Sequence, residues 1–235
     1  MRRGLDPWTI AVTAMMVAVV ATFTYVAKLP FTPTGGYVSL CDVGVFFAAV
    51  TFGPWIGLIA GGVGAGVADI ISGFAQFAWL SFLAHGLEGL VAGYIAQRMG
   101  IRGRLAWLAF FGIVGVLAIA AGYIASRAEE YPSFVWPILA ALVPLTLVAG
   151  YAARRSGMLL QGLAAAAGAL PVILGYFAGE AYVMGVGVGP ATLEVPANFI
   201  QVIVGAVVGL ALVRAVRQAY PPVTQMGQPR VWKEM

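Results

Sequence analysis

Charge is what this sequence has least of. Asp, Glu, Lys and Arg make up 9% of its 235 residues, against about 25% in ordinary soluble domains. So few charges cannot cover a surface in water, and an ordinary soluble domain is excluded. A lone cysteine, Cys41, rules out an internal disulfide, and a lone histidine, His85, leaves no two-histidine metal signature to find. No nucleic-acid motif accompanies the net charge of +4. In its place are apolar residues, 61% of the chain, set in long runs with the basic residues gathered between them. That pattern belongs to a polytopic helical membrane protein.

The runs predict eight membrane segments: Trp8 to Ala27, Val43 to Phe52, Trp55 to Ser72, Trp79 to Gln97, Leu105 to Ser126, Phe134 to Ala153, Met158 to Gly185 and Val195 to Val213. The second and third could instead form one kinked crossing. A turn at Gly53-Pro54 is preferred because it puts Arg2/Arg3, Arg98/Arg102/Arg104, Arg154/Arg155 and Arg214/Arg217 on one side, as the positive-inside rule requires. Both termini are then cytoplasmic. The Val43 to Phe52 helix is too short to cross alone and needs shielding by its neighbours. Residues 1–219 are expected to form a single transmembrane domain and 220–235 a flexible cytoplasmic tail.

With this topology the acidic residues gather at the outer ends of the helices: Asp42, Asp69, Glu180 and Glu194. Ser81, His85 and Glu88 share one helical face, as do Tyr176 and Glu180, and as do Glu194, Asn198 and Gln201. Facing lipid, these groups would be unsatisfied, so they are expected to meet one another or an outward-opening cavity. The simpler alternative, helix cross-links and carboxylates at headgroup level, stays open for Asp42 and Asp69 taken singly. The polar, Pro- and Gly-rich stretch from Lys28 to Asp42 predicts a non-helical cap over that mouth, either a lid or a plain connector. Ala14 with Ala18, Gly57 with Gly61 and Ala65, and Gly205 with Gly209 form small-residue stripes suited to close helix contact.

Several stretches are similar to a known family: Gly36-Tyr37-Val38-Ser39-Leu40-Cys41-Asp42-Val43, Phe52-Gly53-Pro54-Trp55-Ile56-Gly57, Gly61 to Asp69, His85-Gly86-Leu87-Glu88-Gly89-Leu90, Gly175 to Glu180 and Glu194 to Gln201. In this order they resemble the substrate-binding (S) components of energy-coupling factor (ECF) transporters. The resemblance implies six core helices, with 105–153 as an added hairpin. It implies a subunit that captures a vitamin or related micronutrient, without hydrolysing ATP and without a cofactor, for a transmembrane coupling subunit and two cytoplasmic ATPases. It further implies that Ala14 and Ala18, matching an Ala-x-x-x-Ala motif, contact the coupling subunit. Many relatives carry Lys where this chain has His85.

The expected solute site comprises Tyr37, Asp42, Asp69, Trp79, His85, Glu88, Tyr176, Glu180, Glu194, Asn198 and Gln201, with no catalytic residue and no metal. Carboxylates, amides and aromatic rings suit a small ring-bearing compound with hydrogen-bond donors. Riboflavin, pyridoxine, thiamine precursors and pantothenate are all compatible. Two other classes stand beside this one. One is an ion-coupled secondary transporter; the other is an intramembrane metal-dependent enzyme using His85, Glu88 and Glu180.

Overall fold

The computed structural model describes residues 7–30, 33–98 and 159–223, together with 144, 148 and 151. These form an all-α polytopic membrane protein: α1 (Pro7–Val26), α2 (Cys41–Phe52), α3 (Pro54–Ile71), α4 (Ala78–Arg98), α5 (Leu159–Ala178, continued by a π turn over Gly179–Val183) and α6 (Val188–Ala219). Four stretches are long and apolar enough to cross a bilayer, in α1, in α3, in α5 with its π turn, and in α6. The 21 residues of α4 match them in length, but its polar face makes it less apolar. The expected hairpin over 105–153 and the tail beyond 223 lie outside the described residues.

The turn expected at Gly53-Pro54 separates α2 from α3. Gly53 adopts φ +102°, a conformation that an L side chain resists, and Pro54 starts α3, where a missing N–H costs nothing. At 12 residues, α2 spans about 18 Å, short of a bilayer. Every residue of it except Phe47 is buried, so no lipid touches its ends. Its last carbonyls are satisfied by other helices: Gln97 of α4 donates to Val50 and Thr51, and Arg217 of α6 donates to Val50 at 3.0 Å.

Two boundaries differ from the sequence expectation. The last helix begins at Val188, not Val195, and runs through Pro196. A proline looks like a helix start in sequence, but inside a packed bundle the one lost N–H is tolerated and the preceding turn is kept. The cap between α1 and α2 is not wholly irregular either. Lys28 and Leu29 (β1) pair antiparallel with Ser39 and Val38 (β2).

Small residues set the helix distances. A Cβ on Gly57 would lie 2.6 Å from the Gly89 carbonyl oxygen, and one on Gly61 would overlap the carbonyl of His85. The backbones of α3 and α4 therefore touch, in the most extensive helix pairing among the described residues. Across the molecule, a Cβ on Gly205 would overlap that of Asp42, and Gly209 faces Val43 and Phe46, so α6 lies directly on α2. The Gly57/Gly61 and Gly205/Gly209 stripes thus serve packing within the chain. Ala14 and Ala18 point outward from α1, whose buried face is Val12, Met16, Val20 and Thr24. Val223, just past α6, is buried in the cluster containing Val12, Met16 and Phe52.

Gly61→Ala should lower stability by about 1–3 kcal/mol, the usual range for overpacking, because its new methyl has only backbone to displace. Thermal unfolding of the purified protein in detergent reads this as a lower Tm, while Ile70→Ala on the exposed face of α3 should leave Tm nearly unchanged.

Candidate functional site

The polar residues converge at one end of the bundle. Thr24 ends α1, Asp69 ends α3, Ser81 begins α4, Tyr176 ends α5 and Glu194 lies in the second turn of α6. Together with Tyr37, Ser39, Phe77, His85, Asn198 and Gln201 they line a cavity of about 20 Å³, measured as the space open to the centre of a water molecule. That is room for roughly one water, whereas sites for small organic ligands run to several hundred Å³. The loop over the cavity must therefore move for a solute to enter.

Hydrogen bonds define the walls. Asp69 accepts short bonds from the Tyr37 and Ser81 hydroxyls. Since Ser81 gives its single proton to Asp69, Tyr176 donates to Ser81 across 2.6 Å. The next atom in the chain is Nε2 of His85, 3.5 Å from the Tyr176 oxygen. At the other side of the mouth, Thr34 donates to Glu194 and lies 3.3 Å from Glu180. The backbone N–H of Ser39 donates to Gln201 across 2.7 Å. Lys28 donates to Ser72 across 2.7 Å while its ammonium sits 4.1 Å from the Tyr25 ring centre. The loop is thus tied to the ends of α3, α5 and α6. Burial, then the charge of Asp69, pushes the Tyr37 hydroxyl far above its ordinary pKa, so it remains a donor throughout the physiological range.

Of the residues expected from sequence, Tyr37, Asp69, His85, Tyr176, Glu194, Asn198 and Gln201 line the cavity. Glu180 adjoins it through Thr34. Asp42 and Glu88 lie deeper, at the other nitrogen of His85: Nδ1 is 2.9 Å from Glu88 and 3.7 Å from Asp42. Trp79 is 41% exposed on the outer side of α4 and does not line the cavity. The metal triad of His85, Glu88 and Glu180 does not form. Glu180, in the π turn at Gly179–Val183, meets Thr34 of the loop, and the acid that does join His85 and Glu88 is Asp42. Thr24, Thr34, Ser39 and Phe77 belong to the site without having been expected. Thr24 had a signal, as the one polar member of a stripe spaced every four residues with Val12, Met16 and Val20; Thr34 and Ser39 had none beyond their place in the loop.

The chemistry is that of an acceptor-rich pocket with aromatic walls. Carboxylates at Asp69 and Glu194, amides at Asn198 and Gln201, and rings at Tyr37, Phe77 and Tyr176 favour a flat solute carrying N–H donors. Tyr37→Phe should remove the donor that holds the loop on α3. Hydrogen bonds to charged groups contribute about 1.5–3 kcal/mol, so amide exchange over residues 33–39 should speed up at least tenfold by mass spectrometry, with no change in α5.

Known proteins add to this geometry. The profile of the family described as ECF-type riboflavin transporter, S component, matches residues 5–148, more than half of the chain and all of α1 to α4. A Pyrococcus woesei protein described as "Uncharacterized protein in gap 3'region" is 30% identical over 106 residues, covering 45% of this chain and 68% of that protein. The thiamine precursor transporter HmpT of Lactococcus lactis subsp. cremoris (strain MG1363) is 29% identical over 113 residues, covering 46% of this chain and 62% of HmpT. The chain thus spans about two thirds of the length of these relatives. With its apolar crossings and its buried polar cavity, this membrane transport protein belongs to the family of ECF-type riboflavin transporter S components.

Proposed function

We propose that this protein is the solute-capture subunit of an ECF-type importer and that its ligand is a small nitrogen heterocycle, neutral or cationic, with N–H donors. The observation that carries the reading is the convergence of Tyr37, Asp69, Ser81, Tyr176, Glu194, Asn198 and Gln201 from five separate elements on one cavity. A structural role needs hydrogen-bond partners; it does not need acceptors from α3 and α6 facing a common space beneath a tethered loop. Acidic walls favour donors and cations and disfavour a carboxylate-bearing vitamin, which would meet Asp69 and Glu194 with like charge. The family's name points to riboflavin and HmpT to a thiamine precursor. Riboflavin has a ring N–H donor and the aminopyrimidine half of thiamine an exocyclic amino donor, so both fit this class, and pantothenate, a carboxylate, does not.

In this reading the cavity end of the bundle faces outward, both termini and the arginine-rich turns face the cytoplasm of a prokaryote, and the protein is a multi-pass component of the inner membrane. It hydrolyses no ATP. Uptake is driven by two cytoplasmic ATPases through a transmembrane coupling subunit that packs on the free face of α1. Ala14 and Ala18 support that assignment, since both are exposed on the face of α1 turned away from α2 and α3, and small side chains allow a partner helix to approach closely. The loop held by Tyr37 and Thr34 opens to admit the solute and then covers it before delivery.

Thermal unfolding of the purified chain against riboflavin, a thiamine precursor, pyridoxine and pantothenate tests the pocket. At least one of the first three should raise Tm, and Asp69→Asn should weaken its binding at least tenfold; stabilisation by pantothenate alone would overturn the assignment. For the assembly, Ala14→Leu combined with Ala18→Leu should abolish co-purification with the coupling subunit and leave the ligand-induced Tm shift intact.

A further inference from the structure

Beneath the cavity floor, Asp42 of α2 and His85 and Glu88 of α4 form a second cluster, which touches the cavity only through the His85 ring. All three are essentially sealed from solvent, at 0%, 3% and 0% exposure. Their donor atoms lie within 4.8 Å of one another. Both oxygens of Asp42 and Oε1 of Glu88 have no hydrogen-bond partner. Two buried carboxyl groups with three orphaned oxygens are too costly to leave bare inside an apolar bundle.

A proton count narrows what completes them. Tyr37 and Ser81 donate to Asp69, and Tyr176 donates to Ser81, so the Tyr176 oxygen is free to accept from His85 Nε2, 3.5 Å away, while the Cys41 thiol also bonds the ring. Nδ1 lies 2.9 Å from Glu88 Oε2, a hydrogen bond when that nitrogen carries a proton, and 3.7 Å from Asp42 Oδ1, too far for one. One proton placed between Nδ1 and Glu88 would relieve that contact and leave the two Asp42 oxygens and Glu88 Oε1 as they are. A cation addresses all of them at once. Ligands held about 2.0–2.2 Å from a common ion lie roughly 3–3.6 Å apart, and the two observed separations bracket that range.

We propose that Asp42, His85 and Glu88 form a binding site for one divalent transition-metal ion of the zinc type. An imidazole donor favours such ions over Mg²⁺ and Ca²⁺. Two carboxylates cancel the ion's charge, so the filled site is neutral, which is the form an apolar interior tolerates. Sequence spacing offered His85 and Glu88 to a metal but not Asp42, which is more than forty residues from His85 and meets it only through the packing of α2 on α4. Metal on Nδ1 also fixes the tautomer of His85. The ring then presents Nε2–H as a donor to Tyr176 and the cavity. The ion is structural and positions a solute-facing group; it is no part of a reaction.

The test uses the full chain, purified in detergent without a polyhistidine tag and without any added solute, so that its outcome is independent of ligand identity. After stripping with chelator, titration with Co²⁺ should give visible d–d absorption bands saturating at one equivalent and bleaching when Zn²⁺ is added. Asp42→Asn and Glu88→Gln should each weaken Co²⁺ binding at least tenfold. Absence of saturable bands in the wild-type protein would overturn the proposal even if both variants failed to fold. Unchanged bands in both folded variants, judged monodisperse by gel filtration, would overturn it too, by assigning the metal to surface groups. Solute-induced Tm shifts are read on the same preparation as a separate measurement, so the pocket assignment stands or falls apart from this one.

Discussion

A carboxylate in hydrocarbon is intolerable alone, and the whole arrangement follows from keeping five of them there. Asp42, Asp69, Glu88, Glu180 and Glu194 are each no more than 2% exposed. Hydrophobic burial holds helices together weakly inside a bilayer, since lipid is as apolar as leucine. Close glycine contacts and shared polar groups must do it. Asp69 joins the loop, α3 and α4, and Thr34 joins the loop to the acids of the π turn and α6. The interactions that would recognise a solute are therefore the ones that also assemble the bundle at that end.

Much of this was legible before the fold was known, and the reasons are specific. Ser81, His85 and Glu88 were placed on one face by spacing alone, and all three are buried there. Gly53-Pro54 announced a turn because glycine and proline each relieve a distinct backbone constraint. The free face of Ala14 and Ala18 could not be told from the packed faces of Gly57 and Gly205 in sequence, as every stripe consists of the same small residues; only the neighbours found in the fold separate them. Trp79 was drawn into the site by its type and its position near the mouth, yet it begins the helix one side away from Ser81 and stands outside.

What sequence periodicity could not supply was the pairing of acids. Tyr176 and Glu180 are four residues apart, which on an ideal helix stacks them together. In the fold Tyr176 completes the Asp69 to His85 chain, while Glu180, in the π turn, meets the Thr34 hydroxyl that also bonds Glu194. Spacing along one helix does not say which loop residue or which neighbouring helix an acid will meet.

The half-length helix α2 is fastened to α6 at both ends, by Gly205 against Asp42 and by Arg217 on the Val50 carbonyl, with Gly209 seated between. Contacts that ascend together along both chains make the two helices parallel and leave no room for sliding. The α2–α6 pair therefore spans from the Arg217 end of the bundle to Asp42 beneath the cavity, so a change of sequence at either end is constrained by what the other must seat.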